Sequence, residues 1–103
     1  MRIWFERSGG FAGLHLSTDF DLDDLDEDDA NQIKNLIDEA DFFEMPDIFE
    51  STSAAPDQYS YTIKVESKKG VKIITVADAA APDNLQELIN ILNRLMRKRR
   101  TMH

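Results

Sequence analysis

The chain has 103 residues, enough for one domain with one core that buries roughly two-thirds of the surface exposed by the unfolded chain. Its formal net charge of −8 argues against nucleic acid as a partner, because phosphate binding needs a cationic field. With no cysteine, disulfides, thiolate zinc sites and cysteine nucleophiles are all excluded, and no segment approaches the roughly 18 apolar residues of a membrane span.

The first strand is read at Arg2 to Arg7, with Ile3 and Phe5 on one side and Arg2, Trp4 and Glu6 on the other. It opens directly at Met1, without the apolar run of a secretory signal, which places the protein in the cytoplasm as an expectation. Ser8-Gly9-Gly10-Phe11-Ala12-Gly13 follows as a glycine-rich hairpin turn that holds a large aromatic between small residues, with Gly9-Gly10 supplying positive φ. A second strand runs from about Gly13 to Asp21, with Leu14, Leu16 and Phe20 inward and a kink expected near Ser17-Thr18-Asp19.

Fourteen acidic residues stand against one basic residue, Lys34, between Asp19 and Glu50, while Arg94, Arg97, Lys98, Arg99 and Arg100 load the C-terminus. Such an asymmetry is either two solvated surfaces or a device that steers a basic partner. A calcium loop fails on spacing. With Asp19, Asp21 and Asp23 as its first ligands, the required glycine is Asp24 and the bidentate glutamate is Ala30. Instead Asp26 is expected to cap a helix from about Glu27 to Asp41 whose first turn, Glu27, Asp28 and Asp29, suits the positive end of the helix dipole. Ala30, Ile33, Leu36, Ile37 and Ala40 form its apolar stripe, and Phe42-Phe43-Glu44-Met45-Pro46 ends it and closes the core.

From Pro46 to Asp57 no period is evident, and a long loop is predicted in which Ile48 and Phe49 either dock on the body or face a partner. Tyr59, Tyr61, Ile63 and Val65 alternate with polar residues as a third strand, Ser67-Lys68-Lys69-Gly70 turns, and Val71 to Ala77 returns as a fourth. After Asp78, Pro82 suits the first turn of a second helix with Leu85, Leu88, Ile89, Leu92, Leu95 and Met96 on its buried side.

The fold class is therefore α+β in the order β-β-α-β-β-α, a four-stranded antiparallel sheet with two helices on one face. Residues 1–100 read as a single domain with a basic tail from about residue 97. If each element reverses the last, the glycine turn, the 46–57 loop and the Asp78 to Pro82 link share one end. Loops gathered on a rigid scaffold are where binding sites concentrate. Either central pair of strands remains open. His15 and His103 are the only histidines, so no histidine-based metal motif or triad can be assembled. The glycines lack the lysine and Ser/Thr of a phosphate loop, and the carboxylates sit on solvent faces. No cofactor, metal site or enzymatic activity is expected.

The segment Arg2-Ile3-Trp4-Phe5-Glu6-Arg7-Ser8-Gly9-Gly10-Phe11-Ala12-Gly13, the helix exit Ala40-Asp41-Phe42-Phe43, the strand Tyr59 to Val65 and Val76-Ala77-Asp78 leading to Pro82 resemble the emfourin family. The resemblance covers residues 1 to about 97, and the glycine turn is its most specific part. It implies a bacterial protein inhibitor of thermolysin-like, protealysin-type zinc metalloproteases that binds the active-site cleft reversibly and excludes substrate; the free protein is expected to be a monomer. The very acidic stretch and the Arg/Lys tail depart from the family pattern and leave the target protease open. The expected protease-binding residues are Ser8, Gly9, Gly10, Phe11, Ala12, Gly13, Ile48, Phe49 and Asp78. Phe11 either fills the enzyme's apolar pocket or folds under to plug the core. Asp78 is a candidate to approach the enzyme's zinc. A non-catalytic adaptor module is the alternative, using the open sheet face or an edge strand.

Overall fold

The structure, a computed structural model, describes residues 1–9, 14–49, 59–77 and 80–101. In strand β1 (Arg2–Gly9) the alternation has its expected result: Ile3 and Phe5 are fully buried, and Arg2, Trp4 and Glu6 lie on the other face. The strand continues past Arg7 to Gly9 and pairs antiparallel with β2 (Leu14–Asp21) from Arg2↔Asp21 to Gly9↔Leu14. This ladder is one-for-one throughout, so Ser17, Thr18 and Asp19 hold register opposite Glu6, Phe5 and Trp4, and there is no bulge where a kink was expected. Leu16, packed on the core, and buried Phe20 explain why: slipping by one residue would turn both to solvent.

Helix α1 (Glu27–Glu39) buries Ala30, Ile33, Leu36 and Ile37. Asp26 occupies the N-cap position, but its side chain makes no capping hydrogen bond, which corrects the expectation; its carbonyl accepts from the Ala30 amide at 2.9 Å. The acidic first turn therefore acts on the dipole without a side-chain cap. The helix also stops earlier than expected. Asp41 adopts a left-handed backbone (φ 49), which aspartate tolerates better than most residues with a side chain, and turns the chain before Pro46 can restrict it. A single 3-10 turn, Phe42–Glu44, follows, and Phe42 is buried against the core with Phe43 and Met45 at its margin.

Ile48–Phe49 forms a short strand, β3, where only a loop was expected, and it runs parallel to β5 (Gly70–Ala77) with Ile48↔Thr75 and Phe49↔Val76. Asp47 anchors its entry twice. Its carbonyl accepts from the Thr75 amide at 2.8 Å, and its carboxylate lies 2.6 Å from Lys72 Nζ. Strand β4 (Tyr59–Ser67) pairs with β1 on one side and β5 on the other, giving the sheet order β2-β1-β4-β5-β3. The four long strands are antiparallel as predicted, with β1 and β4 central.

The β4–β5 turn closes on Gly70, whose φ of +125° is hostile to L side chains, although a Cβ there would meet no atom within 4 Å. Gly70→Ala is accordingly expected to cost about 1–3 kcal/mol through backbone strain alone. A urea midpoint equal to that of the wild type would refute this.

Helix α2 (Asp83–Thr101) begins one residue after Pro82, whose carbonyl accepts from the Gln86 amide at 2.8 Å; the proline thus precedes the first turn instead of lying in it. Leu85, Leu88, Ile89, Leu92, Leu95 and Met96 are all buried. Together with α1 the helix covers the sheet face that carries Ile3, Phe5, Ile63, Val65, Ile74 and Val76.

The charge asymmetry also acquires a structural meaning. Arg94 Nη2 sits 2.6 Å from Asp29 Oδ1, and Lys98 shares a groove with Asp24, Asp26 and Asp29, so the basic end of α2 lies against the acidic start of α1. Arg94 is about half exposed, which keeps the pair weak. Arg94→Ala is expected to lower stability by about 0.5 kcal/mol in low salt, with the difference shrinking towards zero near 1 M salt. Urea titrations at the two salt concentrations measure it.

Candidate functional site

Four strand ends define one edge of the sheet. Gly9 pairs with Leu14 and with Tyr59, and Ser60 pairs with Ala77, so the exit of β1, the entry of β2, the entry of β4 and the exit of β5 lie side by side. The glycine turn, the segment that leads into β4 and the link after Ala77 therefore all leave the scaffold at this end, as the sequence order predicted. Gly9 has φ 104, a conformation that glycine supplies at no steric cost. Ser8 lies on the helix-free face between His15 and Ser60. Gly10, Phe11, Ala12, Gly13 and Asp78, also named from the sequence, lie outside the described residues.

Ile48 and Phe49 are placed differently. Their strand is three positions from β1, about 14 Å across the sheet at the usual strand spacing. Through Val76 and Tyr61, Phe49 is level with Arg7, two residues short of Gly9. These residues belong to the far margin of the loop-bearing end. The backbone of Ile48 docks on β5 while its side chain remains 60% exposed, so docking and exposure hold together.

Beneath the loops the helix-side row of β1 and β4 changes character. Phe5 stacks on Tyr61 with ring centroids 5.7 Å apart. The next position outward is Arg7, whose guanidinium carbon lies 5.1 Å from the Tyr59 ring centroid and whose Nη1 lies 3.4 Å from Asn93 Oδ1 on α2. Tyr59, the next residue outward from Tyr61 in the alternation of β4, is 40% exposed. The signal for this group was present in the series Ile3, Phe5, Arg7, where a cation takes the third place of an apolar row.

The helix-free face is a charge lattice around Trp4. Arg2 Nη2 lies 2.8 Å from Asp19 Oδ2, His15 Nδ1 2.8 Å from Glu6 Oε1, and Lys64 Nζ 3.1 Å from Glu66 Oε1. The Asp19 carboxylate, first by hydrogen bond and then by charge, raises the Arg2 guanidinium above its ordinary range. Towards β5 this face turns apolar, with Val71, Ile73 and Ile48 exposed. Among the described residues no group of three or more His, Asp or Glu is placed to hold a metal ion.

A sheet that brings three of its connections to one end has the build of a small binding scaffold. The chain belongs to the emfourin family, whose model matches residues 5–93, from the middle of β1 through the glycine turn and α1 to the first half of α2. Membership supports a role of the protease-inhibitor type. Comparison with curated proteins and with solved structures returned no match.

Proposed function

We propose that this chain is a protein inhibitor of bacterial thermolysin-like, protealysin-type zinc metalloproteases, acting in the cytoplasm as a non-catalytic single domain. The observation that carries the reading is the emfourin match over residues 5–93. The common end at which Gly9, Leu14, Tyr59 and Ala77 meet supports the choice of surface. Phe11 enters the apolar pocket that such enzymes use for the residue after the scissile bond, while the backbone around it makes strand-like hydrogen bonds to the cleft. Ile48 and Phe49 pack on the rim, and Asp78 is the carboxylate nearest in sequence to this end. Binding is reversible, and substrate is excluded by occupancy of the cleft.

Titrating a protealysin-type protease with the protein tests this. Loss of activity that is stoichiometric and competitive with substrate is the expected result. Full residual activity, or digestion of the protein, rejects it. The second reading, an adaptor module, draws on the exposed Ile48, Val71 and Ile73 at the β5 margin, a patch of the kind that marks interaction surfaces. It expects alanine or serine at these three positions to abolish partner binding without touching proteolysis.

A further inference from the structure

We infer that Arg7 is a positioning residue that fixes the roots of the glycine turn and of the segment entering β4 as one unit. Three elements meet at its half-buried side chain: β1, which carries it; β4, through the Tyr59 ring 5.1 Å from its guanidinium carbon; and α2, through Asn93 Oδ1 at 3.4 Å. Arg7 is two residues from Gly9, and Gly9 itself pairs with Tyr59, so the side chain braces the ladder at its last rung from the helix side. Among the described residues this is the outermost rung that β1 and β4 share. An apolar residue in this place would continue the row of Ile3 and Phe5 but would offer no donor to Asn93 and no cation to the Tyr59 ring. A lysine would keep the charge but lose the flat fork that lies on a ring and still donates sideways.

The magnitudes separate positioning from general stability. A partly exposed cation–π contact and a long hydrogen bond are weak against the stability of a domain of this size. The same interaction is large relative to the order of a strand end, where local opening costs little. A turn whose roots are already held loses less freedom when it binds, and affinity gains by that difference.

The experiment compares wild type with Arg7→Ala, Arg7→Lys, Tyr59→Ala and Tyr59→Phe. Backbone 15N relaxation of the free proteins is the first readout. Arg7→Ala and Tyr59→Ala are expected to lower order parameters at Ser8, Gly9, Leu14 and Tyr59 while Ile3 and Ile63 stay as in wild type. Tyr59→Phe keeps the ring and should keep the order, and Arg7→Lys should fall between. Unchanged order at the four strand-end amides in Arg7→Ala overturns the inference.

The second readout rests on the inhibitory reading. Against a thermolysin-like protease, the inhibition constant of each alanine variant should rise about 5- to 10-fold, with the double variant Arg7→Ala/Tyr59→Ala no worse than either single one. Additive losses, or lost order with an unchanged inhibition constant, overturn a positioning role in binding. Should the wild type itself fail to inhibit, the inhibitory reading falls and the relaxation data alone still decide the role of Arg7.

Discussion

Phe11→Ala is expected to weaken protease inhibition about 100-fold while the urea midpoint of the free protein stays close to that of the wild type. The size follows from what a central aromatic anchor contributes to an interface: roughly 2–4 kcal/mol on truncation, or about 30- to 1000-fold in affinity. Phe11 has the sequence context of such an anchor. It is the one large apolar residue between Gly10 and Gly13, on a turn that leaves the scaffold from the last β1–β2 rung, Gly9↔Leu14. The competing role, a plug for the end of the core, makes the opposite pair of forecasts. There the truncation costs about 3–5 kcal/mol of stability, and inhibition declines only as the protein unfolds. Both quantities must therefore come from the same preparations. Phe11→Leu adds resolution, since a leucine refills most of an apolar pocket and should lose no more than about 10-fold. Normal inhibition by a folded Phe11→Ala protein would remove Phe11 from the site.

The long elements were legible because their periods are unambiguous. Tyr61, Ile63 and Val65 repeat every second residue, and Leu85, Leu88, Ile89, Leu92, Leu95 and Met96 follow the helical turn; all are buried. Elements set by tertiary contact were not legible. A two-residue strand such as Ile48–Phe49 is too short to carry a period, and it exists because Asp47 is fastened to Thr75 and Lys72 across the sheet. The order β2-β1-β4-β5-β3 likewise depends on which hairpin edges meet, which alternation within one strand cannot encode. Val71, Ile73, Ile74 and Val76 place apolar groups on both faces of β5, so the run could not show that Val71 and Ile73 face solvent. The acidic and basic stretches read as separate surfaces because the approach of Arg94 to Asp29 spans 65 residues of sequence. Of the candidate site, the shared end was derivable from the reversal of each element. The cross-sheet position of Ile48 was not, since it follows from the unexpected β3.

Phe5→Ala should be the most destabilising single truncation among the described residues, at about 3–5 kcal/mol. Phe5 is fully buried in a strand flanked on both sides, by Thr18 in β2 and Ile63 in β4, so neither neighbour can close over the space it leaves. Its ring also lies nearly parallel to that of Tyr61, 13° between planes, and such pairs add roughly 0.5–1.5 kcal/mol beyond the area they bury. Ile63 and Val65 are equally buried but smaller and unstacked, which puts their alanine variants below Phe5→Ala. A domain of this length has about 5–15 kcal/mol in hand, so the variant should remain folded in water unless the parent lies near the bottom of that range. Phe5→Leu separates the causes: it keeps most of the volume but loses the ring, and should cost less than about 2 kcal/mol. Urea midpoints of the three proteins decide the matter, and a loss below about 1 kcal/mol for Phe5→Ala would mean that the core collapses around the vacancy. The functional consequence is separable as well. Phe5 lies below the loop-bearing end, so any Phe5→Ala protein that remains folded should inhibit with the wild-type constant, its apparent weakening tracking the unfolded fraction and vanishing when activity is normalised to folded protein.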